Sequence, residues 1–117
     1  MLVVEDDAGL RDLYRAALTS AGYAVVAVED GLDALRRIDD WAPSAVVLDM
    51  ALPRLNGRDV SRELKSRPDT CNIPIVVVSG SDIRDLDPAD FACVLTKPIH
   101  PEALVSAVER SLRRTGV

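Results

Sequence analysis

A chain of 117 residues with 48% hydrophobic content is the size of one ordinary domain and apolar enough to build a core, which excludes intrinsic disorder. Its formal charge of −5 argues against a generic nucleic-acid or anionic-membrane surface, both of which need a basic footprint. With aromatic residues at only 3%, the core has to be assembled from Val, Leu, Ile and Ala.

No apolar run approaches the ~18 residues of a membrane span. The N-terminus meets Glu5 without a basic n-region, so no secretory signal is expected and a cytoplasmic setting is. Cys71 and Cys93 show neither CxxC nor metal-ligand spacing and read as reduced thiols, buried wholly or in part as small hydrophobes.

In chain order, Leu2–Val4 is a candidate strand, and residues 8–20 place Leu10, Leu13, Tyr14, Ala17 and Leu18 on one helix face. Gly22 suits the left-handed position beyond that helix. Ala24–Val28 is the second strand. Asp30 can cap a helix over 31–40, with Leu32, Leu35 and Ile38 inward and Pro43 ending the unit. Trp41, just past that helix, is expected to pack.

Ala45–Leu48 is the third strand. Asn56-Gly57 forms the turn and cap of a short helix with Val60 and Leu64 on one face. Ile75–Val78 and the weaker Cys93–Thr96 are strands four and five. Pro101 fits the first turn of a last helix, with Glu102 near its positive end and Leu104, Val105, Val108 and Leu112 inward. His100, the only histidine, has a capping or surface role. Strand–helix alternation with continuous apolar strands predicts an α/β domain over 1–117, a parallel sheet covered on both faces.

In open parallel sheets ligands bind beyond the C-terminal strand ends. Strand one runs into Glu5-Asp6-Asp7, strand three into Asp49, strand four into Ser79-Gly80 and strand five into Thr96-Lys97-Pro98. Glu29-Asp30, after strand two, is assigned to helix capping, and Asp7 to the positive end of the first helix. If strands one and three are neighbours, Glu5, Asp6 and Asp49 converge, and at least one carboxylate is pushed toward protonation unless a cation intervenes. Hard oxygen donors of this kind suit Mg²⁺, with Mn²⁺ an alternative. A phosphoryl group there would meet the Ser79 hydroxyl and the Lys97 ammonium, and Asp49 can serve as nucleophile.

The segments "VVEDD", "AVVLDMALPRLNG", "IPIVVVSG" and "LTKPI", in this order, closely resemble the receiver domain of two-component response regulators over the whole chain. The resemblance implies a flavodoxin-like, doubly wound five-stranded sheet of order 2-1-3-4-5. It also implies phosphorylation of Asp49 by a histidine kinase or histidine phosphotransfer protein, as a stoichiometric acceptor rather than an enzyme. By position Asp6 is the more direct metal ligand and Glu5 acts largely through water. Ala51 offers its backbone carbonyl to the metal, and Lys97 pairs with the carboxylate and then with the phosphoryl group. Lys97-Pro98 is a candidate cis bond. The expected state is a monomer or weak dimer with no nucleic-acid or membrane partner.

Two departures bear on output. The interval from Ser79 to Lys97 is shorter than usual in the family, and "SDIRDLDPAD" holds one apolar pair, Ile83 and Leu86, before Pro88. The helix between strands four and five is therefore expected to be a single turn or an irregular loop. Val94 stands where the family commonly has Tyr or Phe, and its one stiff rotamer cannot report on the hydroxyl residue. These departures keep open an alternative, a receiver-fold interaction module that ignores phosphorylation. A Mg²⁺-dependent phosphatase is disfavoured because Ala51 replaces the second Asp of its "DxD" arrangement. Neither Ala51 nor Ser81, two past the acceptor and two past the hydroxyl residue, is a base, so slow loss of phosphate is expected.

Overall fold

Successive residues of each strand go to opposite sides of the sheet, and the core divides accordingly. Leu2 and Val4, Val46 and Leu48, and Ile75 and Val77 enter one buried cluster. Their alternates Val3, Val47, Val76 and Val78 enter another. This two-sided burial is why the strands read as unbroken apolar runs.

The computed structural model describes residues 1–80 and 86–115, side chains through 113. Five parallel strands, β1 (Leu2–Val4), β2 (Val26–Val28), β3 (Val46–Leu48), β4 (Ile75–Ser79) and β5 (Cys93–Thr96), lie in the order β2-β1-β3-β4-β5. Helices α1 (Ala8–Ser20) and α4 (Pro101–Thr115) pack together on one face. Helices α2 (Gly31–Asp40) and α3 (Gly57–Ser66) pack together on the other. The architecture is the parallel sheet covered on both faces that the alternation predicts, in the flavodoxin-like strand order that the resemblance implies.

Each of the first three helices starts on a side-chain cap. Asp7 accepts from the Leu10 N–H at 2.9 Å, Asp30 from Asp33 at 2.9 Å and Asn56 from Asp59 at 3.0 Å. Asp7 is thus a cap, beyond the dipole role expected of it. Gly22 follows α1 at φ 100°, as its position demands. His100 is exposed, and its carbonyl accepts the Ala103 N–H at 3.0 Å at the start of α4.

Several expectations need correction. Leu13, expected on the inward face of α1, is 43% exposed, and β3 begins at Val46 rather than Ala45. β2 begins at Val26, because pairing with β1 starts at Leu2 and leaves Ala24 and Val25 outside the ladder. Trp41, expected to pack, is 37% exposed, on the extended residue that follows the end of α2 at Asp40. Cys71 is exposed, on the turn that follows α3, whereas Cys93 is half-buried in β5.

Between β4 and β5 the described residues hold one 3-10 turn, Pro88–Asp90, with the Asp87 side chain accepting the Ala89 N–H at 3.0 Å. No α-helix lies there among the described residues. Residues 81–85, which include Ser81 and Ile83 and half of the expected single turn or irregular loop, are outside them.

Candidate functional site

Register places the site. Val4 pairs with Leu48, so the residues that follow, Glu5 and Asp49, leave adjacent strands at the same edge. Asp49 donates its N–H to the Val4 carbonyl at 3.1 Å, and Glu5 donates its own to Val28 at 3.1 Å. Both side chains are buried, Glu5 at 1% and Asp49 at 4% exposure, while Asp6 is exposed. Carboxylate oxygens of Glu5, Asp6 and Asp49 lie within 4.8 Å of one another.

Lys97 arrives from β5, where Thr96 pairs with Ser79 and the Lys97 N–H donates to the Ser79 carbonyl at 3.0 Å. Its ammonium lies 3.0 Å from Asp49 Oδ2 and 2.7 Å from Glu5 Oε1. The peptide bond after it, Lys97-Pro98, is cis, as the resemblance implied. Ser79 is fully buried at the end of β4. Ala51, two past Asp49, donates its N–H to Asp49 Oδ1 at 3.0 Å, so each oxygen of the central carboxylate has its own partner.

Electrostatics follow from burial and crowding. Burial lifts the Glu5 carboxyl above the ordinary value of 4.5; the Lys97 ammonium and the Asp7 N–H oppose this, and the charge of Asp49 adds to it. For Lys97 burial works against the ammonium, but the bonds to Glu5 and Asp49 outweigh it and hold the group well above the usual lysine range. One ammonium is thus shared between two buried carboxylates that repel each other.

The donor set fits a hard divalent ion: three carboxylates from two strands, all oxygen, beside an open edge. Glu5 Oε1 supports the fit. Among the described residues its one close polar neighbour is the Lys97 ammonium at 2.7 Å, a contact poorly aligned as a hydrogen bond, which leaves this buried oxygen with capacity for a cation. The other oxygen, Oε2, accepts the Asp7 N–H at 3.1 Å.

Several supporting residues went unread in the sequence. Arg11, one helical turn into α1, donates to the carbonyls of Glu5 at 3.0 Å and Asp6 at 3.4 Å, pinning the strand end. Gly57 is a contact residue: a Cβ there would sit 2.3 Å from the Asp49 carbonyl oxygen and 2.6 Å from Met50 Cα. Asp30 was assigned its cap alone, yet it also receives Arg54 Nε at 2.9 Å. Of these only Gly57 left a trace, in the "NG" turn dipeptide.

Comparison with known proteins agrees with this geometry. The family model described as the response regulator receiver domain matches residues 1–109. Response regulator MprA of a Mycobacterium species (strain KMS) is 39% identical over 121 aligned positions, covering 99% of this chain and 51% of that protein. The chain therefore spans about half the length of the curated relatives it matches. Among solved structures, the receiver domain of NtrX from Brucella abortus is 30% identical with a TM-score of 0.85, covering 96% of this chain and 97% of that one. The signal receiver domain of a signal transduction histidine kinase from Syntrophus aciditrophicus is 27% identical with a TM-score of 0.85, covering 97% and 89%. Strand order, the acidic edge and the family match converge: this chain belongs to the response regulator receiver domains of two-component systems.

Proposed function

We propose that this domain accepts a phosphoryl group on Asp49 from a phosphohistidine, borne by a histidine kinase or histidine phosphotransfer protein, in a Mg²⁺-dependent reaction. The observation that carries the reading is one ammonium, Lys97, lying between the buried carboxylates of Glu5 and Asp49 at an edge where three acidic side chains meet. The P–N bond of the donor breaks and a bond forms between phosphorus and an Asp49 carboxylate oxygen, giving an acyl phosphate. A divalent ion would be held by Glu5, Asp6, Asp49 and the Ala51 carbonyl, and would supply neutralisation of the negative charge that gathers at the acceptor.

The protein's own groups do the rest. The Ala51 N–H fixes one Asp49 oxygen and Lys97 the other, so the acceptor is oriented before the donor arrives. Lys97 stays protonated throughout the neutral range, and its charge passes from the carboxylate to a phosphoryl oxygen as the bond forms. Ser79, at the neighbouring strand end, supplies a hydroxyl for a second phosphoryl oxygen. Acetyl phosphate with magnesium is expected to label the chain with one alkali-labile acyl phosphate, and chelation of the metal to abolish it. Undiminished labelling of Asp49→Asn would remove the proposal. Among the described residues no helix is long and apolar enough to cross a membrane.

A specific observation favours a second reading of the output. Val94 packs half-buried against the core, and the described residues between β4 and β5 form one 3-10 turn rather than a helix. Val94 also lacks the ring that commonly reports phosphorylation at this position. Binding of a partner with and without a beryllofluoride mimic separates the readings: equal affinity supports a module that ignores phosphorylation.

A further inference from the structure

A second acidic cluster, Glu29, Asp30 and Asp33, has oxygens within 4.8 Å of one another at the end of β2. It is no ion site, because an arginine fills it. The Asp30 carboxylate, only 4% exposed, receives Arg54 through both Nε, at 2.9 Å, and Nη2, and the same guanidinium lies 3.4 Å from Asp33. Arg54 comes from the loop that joins β3 to α3, the loop that also carries Asp49 and Ala51.

That loop is wedged as well as tied. Arg54 adopts φ 63°, the one positive value at a non-glycine residue among those described. Such a conformation persists only where the surroundings over-determine it. Next to it, the Leu55 carbonyl presses on α2 so closely that a Cβ at Gly31 would lie 1.9 Å from its oxygen. At the far end the Gly57 N–H returns to the Met50 carbonyl at 3.0 Å, bringing the chain back beside Asp49. Leu52 and Leu55 pack under the loop against the core.

We infer that the Asp30–Arg54 pair positions the metal site: it clamps the 51–56 stretch, and so the backbone of Ala51, in the place where its N–H holds Asp49 and where its carbonyl would serve a bound ion. Arg54 is a positioning residue and touches neither ion nor phosphoryl group. The inference rests on the phosphoacceptor reading, and the experiment separates the two.

Magnesium is titrated into the metal-free domain and followed by the backbone amide resonances of Asp49 and Ala51, alongside thermal melting. The variants are Arg54→Asn, which keeps the left-handed conformation accessible, Arg54→Lys, Asp30→Asn, which keeps the cap, and Arg54→Asn with Asp30→Asn. Loss of an outer contact to a metal ligand typically weakens affinity by 10–100-fold, so Arg54→Asn is expected to bind magnesium about tenfold more weakly. Its Ala51 amide is expected to shift before any metal is added. Arg54→Lys should fall between it and wild type, which also serves if the Asn variant does not fold. The double variant should be no weaker than either single one, since both remove the same clamp.

Unchanged magnesium affinity in Arg54→Asn, with or without a lower melting temperature, overturns the inference and leaves the phosphoacceptor reading standing. Additive losses in the double variant overturn it too, because the two residues would then act separately. A wild-type domain that takes up no magnesium, like an Asp6→Asn control, overturns the underlying reading and the inference with it.

Discussion

Replacing Lys97 with Met removes the one cation that separates two buried acids, and the structure sets the size of the effect. The ammonium lies 2.7 Å from Glu5 Oε1 and 3.0 Å from Asp49 Oδ2, with 19% of its side chain exposed. At an effective dielectric near 20, each contact is worth roughly 6 kcal/mol before desolvation is counted. Desolvation cancels much of that, and breaking a buried pair by deleting one partner costs about 3–5 kcal/mol. Partial exposure puts Lys97→Met at the lower end, a loss of about 3 kcal/mol in metal-free protein at neutral pH, against a typical total stability of about 5–15 kcal/mol.

The loss should depend on pH and on metal. Burial already holds Glu5 above its ordinary value of 4.5 while Lys97 opposes that, so removing the ammonium lifts the carboxyl further. A carboxyl whose folded pKa exceeds its unfolded one favours the fold when protonated. Its contribution is complete below the unfolded value and disappears as the pH climbs through the folded one. The variant's deficit is therefore greatest at neutral pH and shrinks on acidification toward 4.5. Magnesium stabilises both proteins but should narrow the gap, because acids no longer shared with an ammonium bind the ion more tightly in the variant than in the wild type. Urea denaturation of both proteins at neutral and acid pH, with magnesium and with chelator, reads all of this. A metal-free deficit under about 1 kcal/mol, or one indifferent to both pH and magnesium, would refute the shared-cation reasoning.

Three further outcomes follow from contacts at and below the site. Gly57→Ala would push a Cβ to 2.3 Å from the Asp49 carbonyl oxygen, and both nearest neighbours are backbone. A loss of at least about 2 kcal/mol in thermal or urea unfolding is expected, and full stability would contradict the close approach. Thr70→Val removes a buried hydroxyl that donates to the Leu64 carbonyl at 2.6 Å; a loss of about 1–2 kcal/mol is expected by urea denaturation. Acyl phosphate should persist well beyond seconds at neutral pH, because Ala51 carries no side chain able to activate water, and decay complete within seconds would count against that.

The fold was legible because each strand is apolar on both faces, and the site because four strand ends carry polar residues at one edge. Asp6, Asp49 and Lys97 needed only the topology to be brought together. What stayed hidden depends on contacts that leave no local period. Arg54 and Asp30 are far apart in the chain, and nothing in "LPRLNG" announces that a residue other than glycine takes the left-handed conformation there. Asp30 satisfied a local role as a helix cap, which used one oxygen and masked the second. Trp41 and Cys71 went astray for the opposite reason. Their apolar character argues for burial, and only the paths of the chain after α2 and after α3 expose them.

The most direct test of the acceptor assignment is to locate the phosphoryl group. The domain is labelled with a small phosphodonor and magnesium, the acyl phosphate is reduced with borohydride, and the modified peptide is identified by mass spectrometry. Modification at Asp49, lost when magnesium is chelated, is the predicted result. Modification centred on Glu5, Asp6 or any other residue, or labelling indifferent to magnesium, would contradict it.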